Sequence, residues 1–191
     1  MRKFLGAISM VGALAAAGAS LADGERVADL GALTALADRG DAGAQLDLGR
    51  RLRDGDGVRW RDFEGAARWF RLAAGGGEVE ALYALGRLHY EGFLVPRDNA
   101  EMLAALDAAA GRGHAGAMLT LGVIHELGHD GPAADHREAL KWYELAAARG
   151  VPELDGKISY LRQRVRAKMS ETEIAEALRL AQFWTPRLSM P

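Results

Sequence analysis

Small and apolar residues return along this chain with a period of about 36 residues, which is the signature of stacked repeats. Leu48-Gly49, Leu85-Gly86 and Leu121-Gly122 mark the period. Each has an alanine four residues before its leucine (Ala44, Ala81, Ala117) and a second glycine six residues after its first (Gly55, Gly92, Gly128). Asp62, Asp98 and Asp135 recur next, followed four residues on by Ala66, Met102 and Ala139, and seven on by Trp69, Ala105 and Trp142. Paired alanines (Ala73-Ala74, Ala109-Ala110, Ala146-Ala147) and a glycine at 77, 113 or 150 close each unit. Three copies therefore run about 41–77, 78–113 and 114–150.

Within a copy the pattern is helical twice over. Apolar or small positions at i, i+4, i+5 and i+8 predict a first helix near 43–53, 80–91 and 116–127, and they put the Leu-Gly glycine where two helices can approach closely. A polar loop follows, and its Asp predicts the N-cap of a second helix, because a carboxylate there accepts from the orphan N–H groups of the first turn. Gly77, Gly113 and Gly150 predict left-handed terminations. One such pair cannot bury its apolar face alone, so stacking on neighbours must stabilise it.

The flanks read as caps. Residues 23–40 predict a lone second helix, since Gly40 stands before Ala44 as Gly77 stands before Ala81. Residues 151–191 predict capping helices and a tail. Leu154–Lys168 is followed by the capping box Ser170-Glu171-Thr172-Glu173, which opens a helix carrying Ile174, Ala177, Leu178, Ala181 and Trp184 on one side. Pro186 and Pro191 stop it. The basic run Arg162–Lys168 reads as a solvated helix face. The expected architecture is all-α, an α/α solenoid of three helix-pair repeats capped by helices at both ends.

Composition narrows the function. The 24 Lys+Arg are scattered among 26 Asp+Glu, so the basic stripe that nucleic-acid binding requires is missing. The chain contains no Cys, which excludes disulfides, thiol catalysis and Cys-ligated zinc. Residues 1–22 read as an address: Arg2 and Lys3 precede an uncharged stretch from Phe4 to Leu21, ending in the small-x-small pattern Ser20-Leu21-Ala22. A cleaved signal peptide is expected, with a mildly acidic mature chain that is periplasmic or secreted and not inserted in a membrane.

Ala-x-x-x-Leu-Gly, then Gly and Asp, then Ala-x-x-Trp-(Tyr/Phe)-x-x-Ala-Ala-x-x-Gly resembles the SEL-one-like repeat family, relatives of tetratricopeptide repeats. Asp135–Gly150 is the best-matching copy, while the middle copy has Ala105-Leu106 in place of the aromatic pair. The resemblance implies a right-handed superhelix and a protein or peptide partner, here in the bacterial cell envelope, in complex assembly or signalling. By the same resemblance, positions two, six and nine after the leading Ala face a concave groove: Leu46, Arg50 and Arg53, then Tyr83, Arg87 and Tyr90, then Leu119, Val123 and Glu126. Arg and Tyr there suit a partner carrying carboxylates.

Two strings look catalytic. His125-Glu126-Leu127-Gly128-His129 matches a zinc hydrolase motif, which requires both histidines on one helix face. In the repeat register, however, Gly128 ends the first helix, and His136 falls one residue off the spacing of a third ligand. An envelope zinc hydrolase using His125, His129 and His136 is therefore the alternative reading, and a binder of cell-wall glycan or peptide fragments a second. Gly111-Arg112-Gly113-His114-Ala115-Gly116 spells a dinucleotide fingerprint but follows a helix with no strand, so an inter-repeat turn is expected. No cofactor is expected.

Overall fold

The computed structural model describes residues 29–185 apart from 59, 94–97 and 129–132. The expected signal segment, His129, Pro186 and Pro191 lie outside the described residues. Every element described is helical. Helix α1 covers 29–38, and three pairs follow: α2 (Ala42–Asp54) with α3 (Phe63–Gly75), α4 (Val79–Tyr90) with α5 (Asn99–Gly111), and α6 (Ala115–Leu127) with α7 (His136–Ala147). Helices α8 (Pro152–Arg166) and α9 (Glu171–Gln182) close the stack. Among the described residues no helix is long and apolar enough to cross a membrane.

Each second helix starts where its aspartate predicts. Asp62 accepts from the Gly65 N–H at 2.7 Å, Asp98 from Glu101 at 2.9 Å, and Asp135 from Arg137 at 2.9 Å and Glu138 at 3.2 Å. The terminating glycines are left-handed as expected, with φ of 100° at Gly77, 89° at Gly113 and 60° at Gly150. Only glycine adopts that conformation without a steric cost.

Close approach inside each pair rests on the Leu-Gly glycine. A Cβ built on Gly49 would stand 2.6 Å from the Phe70 ring, and one on Gly86 2.7 Å from Leu106. On Gly122 it would overlap the Tyr143 ring. Phe70, Leu106 and Tyr143 are the same register position of the second helix, all fully buried. The middle copy lacks the aromatic pair, yet Leu106 fills the same space.

The core runs along the stack as three clusters. Leu46, Phe70, Leu85 and Leu88 join the first two repeats, while Met102, Leu106, Met118, Tyr143, Ile158 and Val165 carry it through the third repeat into the cap. On α9, Ala177 is buried and Ile174 and Ala181 pack against that core, as does Trp184, which lies beyond the helix end at Gln182 and not on the helix as expected. Leu178 is 40% exposed, so the expected apolar face is narrower by one residue: its position lies on the solvent edge of the stripe.

These contacts predict opposite signs for two glycine substitutions. Gly122→Ala should lower stability by about 1–3 kcal/mol, because Tyr143 is boxed in and must shift. Gly156→Ala, in helix α8 with open space around its Cβ direction, should raise it by about 0.5–1 kcal/mol through helix propensity. Urea unfolding midpoints of the two variants check both.

Candidate interaction surface

The predicted groove is only partly open. Leu46 is 6% exposed and Leu119 4%, and each belongs to the core between neighbouring helices. Both are corrections: a leucine two residues after the leading Ala turns inward because burying its side chain is worth about 2 kcal/mol. In the second copy the same position holds Tyr83, which is half-buried.

Glu126 is the third correction, with its side chain 1% exposed. It lies under α8, where Arg164 donates to both its carboxylate oxygens at 2.9 and 2.6 Å. Tyr143 Oη donates to it at 2.9 Å and Lys168 Nζ at 3.3 Å. Burial alone would raise the Glu126 carboxyl, but hydrogen bonds from Arg164, Tyr143 and Lys168 outweigh it and hold the group below its ordinary range. Burial, then the bond to Glu126, pushes the Tyr143 phenol well up. Arg162 and Arg166 meet Glu144 at 2.6 and 2.8 Å in the same way. The basic run is therefore a pair of ionic clamps holding the cap, because alternate residues reach two acids on α6 and α7.

Of the remaining predicted groove residues, Arg50 starts a ladder of polar contacts across the repeats. Arg50 pairs with Asp47 at 3.2 Å and with Glu80 of the next repeat at 3.7 Å. Glu80 meets His114 Nε2 at 2.9 Å, while His114 Nδ1 accepts from the Ala117 N–H at 3.1 Å, capping α6. Since Nδ1 accepts, the proton that binds Glu80 sits on Nε2. The hydrogen bond from His114 is the largest influence holding the Glu80 carboxyl down, ahead of the opposing effect of burial. The His114 ring lies 4.2 Å from Tyr83, with the Arg87 guanidinium 5.9 Å from the Tyr83 ring centre and ion-paired to Glu91. Tyr90 and Val123 are half-buried beside the core. His114 is the residue that motif reading missed, because it sits inside the inter-repeat turn. Its signal is its register, since Asp41, Glu78 and His114 each stand three residues before the leading Ala.

A cleft of about 330 Å³ lies between the first two repeats. Arg53, Arg61 and Arg87 line it with Asp54 and Glu91. Phe63 and Phe93 stack on its wall at 4.5 Å with their rings 6° from parallel. Arg53 holds Asp54 in two bonds of 2.7 and 2.8 Å. Arg61 makes no salt bridge among the described residues, which leaves the cleft one positive charge in excess.

The zinc motif loses its scaffold. Helix α6 ends at Leu127, and Gly128 turns left-handed at φ 66°. No group of three His, Asp or Glu placed to hold a metal is present among the described residues. Burial lowers the His125 imidazole first, with Glu138 opposing. Gly111–Gly116 is the turn between α5 and α6.

Helix pairs stacked in one direction, with first-helix side chains bridging the repeats, define an α/α solenoid, an architecture whose extended faces bind other proteins. The Sel1 repeat matches residues 42–78, 79–104 and 115–151, more than half of the chain, and the chain belongs to that family. It is 36% identical to a Sel1 repeat protein of Oxalobacter formigenes, with a TM-score of 0.55, over 69% of this chain and 97% of that one. It is 37% identical, with a TM-score of 0.59, to c5321, a protective antigen of uropathogenic Escherichia coli displaying an SLR fold. That match covers 64% of this chain and only 26% of the antigen. No curated protein matches.

The Glu126 clamp has a defined pH signature. Its folded-state value lies below the ordinary 4.5, so its stabilisation is complete above that pH and is lost as pH falls through the folded value. Glu126→Gln should cost about 1–3 kcal/mol at pH 7. Between pH 6 and 3 its melting temperature should fall less than that of the wild type, as paired thermal scans would measure.

Proposed function

We propose that this chain is an exported adaptor that holds a protein or peptide partner in the bacterial cell envelope, in complex assembly or signalling there. The observation that carries the reading is the Arg53–Arg61–Arg87 cleft between the first two repeats. Two of its guanidiniums are ion-paired to Asp54 and Glu91, and Arg61 makes no salt bridge among the described residues, so an incoming carboxylate finds a charge-assisted partner without displacing an existing pair. Phe63 and Phe93 give the same partner an apolar wall, which suits a segment with acidic and aromatic or aliphatic side chains side by side. Export rests on the basic start and uncharged stretch of residues 1–22.

Two measurements test these separately. Arg61→Glu/Arg87→Glu alters exposed side chains only, so its helical spectrum should match the wild type while crosslinked recovery of partner from the periplasm falls at least tenfold. Equal recovery would remove the cleft from consideration. Intact mass of the protein isolated from the envelope fraction should correspond to a chain starting at Asp23, and a full-length mass would end the export reading.

A further inference from the structure

The register positions that line the arginine cleft carry a different surface one repeat further along. Arg53, Arg87 and Glu91 line the cleft, and the residues that follow them in register are Tyr90, Val123 and Leu127. Beneath them the core is kept, since Leu88 of the cleft is followed by Ile124 and both are buried. Three charged positions have thus become aromatic or apolar together. Glu91 is the acid that both places share, standing one repeat after Asp54, and it is ion-paired to Arg87. Leu127 ends α6 and is 48% exposed, while Tyr90 and Val123 are half-buried. One exposed leucine is ordinary on a protein surface. Here, however, Val123 and Leu127 are four residues apart and share a face of α6, and the corresponding pairs in the first two copies are Arg50 with Asp54 and Arg87 with Glu91.

We propose that Tyr90, Val123 and Leu127 form an apolar subsite continuous with the arginine cleft, and that this surface takes an extended peptide segment with an acidic residue and, about three residues away, a leucine-like or aromatic one. The proposal rests on the arginine cleft as the anchor for the carboxylate and adds a second anchor to it. Neighbouring helices stand about 10 Å apart, a step that extended chain covers in about three residues. A carboxylate seated on Arg61 therefore brings the side chain three positions away over the first helix of the third repeat. An acid there would find Val123 where the first two copies have Arg50 and Arg87. A basic side chain would find Glu91 already paired. An apolar one covers the exposed surface of Leu127 and takes no charge out of water.

The test is titration of the isotope-labelled protein with four capped peptides: acetyl-Glu-Phe-Ser-Leu-amide, the reversed order acetyl-Leu-Ser-Phe-Glu-amide, and each with its Leu replaced by Ser. The two orders cover both directions along the surface. One Leu peptide should bind roughly fivefold tighter than its Ser counterpart, with saturable shifts at the backbone amides of Val123 and Leu127. That advantage should vanish in Leu127→Ser, an exposed position where the helical spectrum should stay as in the wild type, while the Ser peptide binds the variant and the wild type alike. Arg61→Glu should weaken all four peptides. Equal binding of Leu and Ser peptides, with both lost in Arg61→Glu, would overturn the apolar subsite and leave the arginine cleft standing. A Leu advantage that persists in Leu127→Ser would overturn it too, since the side chain would then seat elsewhere. Binding indifferent to Arg61→Glu, or no binding by any peptide, would remove the cleft and the subsite together. Self-association of the wild type in sedimentation runs, abolished by Leu127→Ser, would overturn the peptide in favour of a second copy of the chain.

Discussion

The fold depends on how closely two helices of one pair can lie. At Gly49, Gly86 and Gly122 the first helix offers bare backbone, and the second helix sets Phe70, Leu106 or Tyr143 against it. That contact fixes the separation within the pair. Spacing within each pair in turn fixes where the alanines Ala81, Ala117 and Ala146 fall, all fully buried, and so how the next pair seats. Side chains on the first helices come into bridging range only because of this seating. The ladder from Arg50 through Glu80 to His114 is thus a product of packing several residues away from it.

Ends pose a different problem from the middle, since a terminal repeat exposes an apolar face with no successor to cover it. At the C-terminal end the chain answers with buried aliphatics on α8, Ile158, Leu161 and Val165, and with acids on α6 and α7 gripped by α8 and the turn after it. Glu126 thereby leaves the predicted groove and becomes part of the closure. Tyr143 serves both purposes, with its ring against Gly122 and its hydroxyl on Glu126.

Periodicity made the helix pairs, the aspartate caps and the left-handed glycines legible in the sequence, because each is a local rule repeated three times. The interaction surface was less legible. Leu46, Leu119 and Glu126 occupy the register positions of groove residues, but whether such a position is open depends on what lies across from it. For Glu126 the covering helix comes about 38 residues later and does not belong to the repeat. His114 escaped notice because histidine is not among the residues favoured at N-caps. Phe63 is the first residue of α3 and Phe93 lies in the loop after α4, so the two occupy different register positions and no repeat rule pairs them.

The two ends are closed to unequal degrees. Helix α1 meets the stack through a small group, Ala37, Ala44 and Leu48 with Leu30, Leu33, Leu52 and Trp69 around them, plus an Arg51–Asp29 pair and a bond from Gln45 to the Ala37 carbonyl. The opposite end carries a deep apolar core and two multidentate ionic clamps. In a linear stack whose units hold only their neighbours, this inequality gives unfolding a direction. Backbone amides of α1 and α2 should therefore exchange with solvent through local openings more readily than those of α6 and α7. The arginine cleft lies toward the less firmly closed end, so a bound ligand has more to order there than it would at the opposite end.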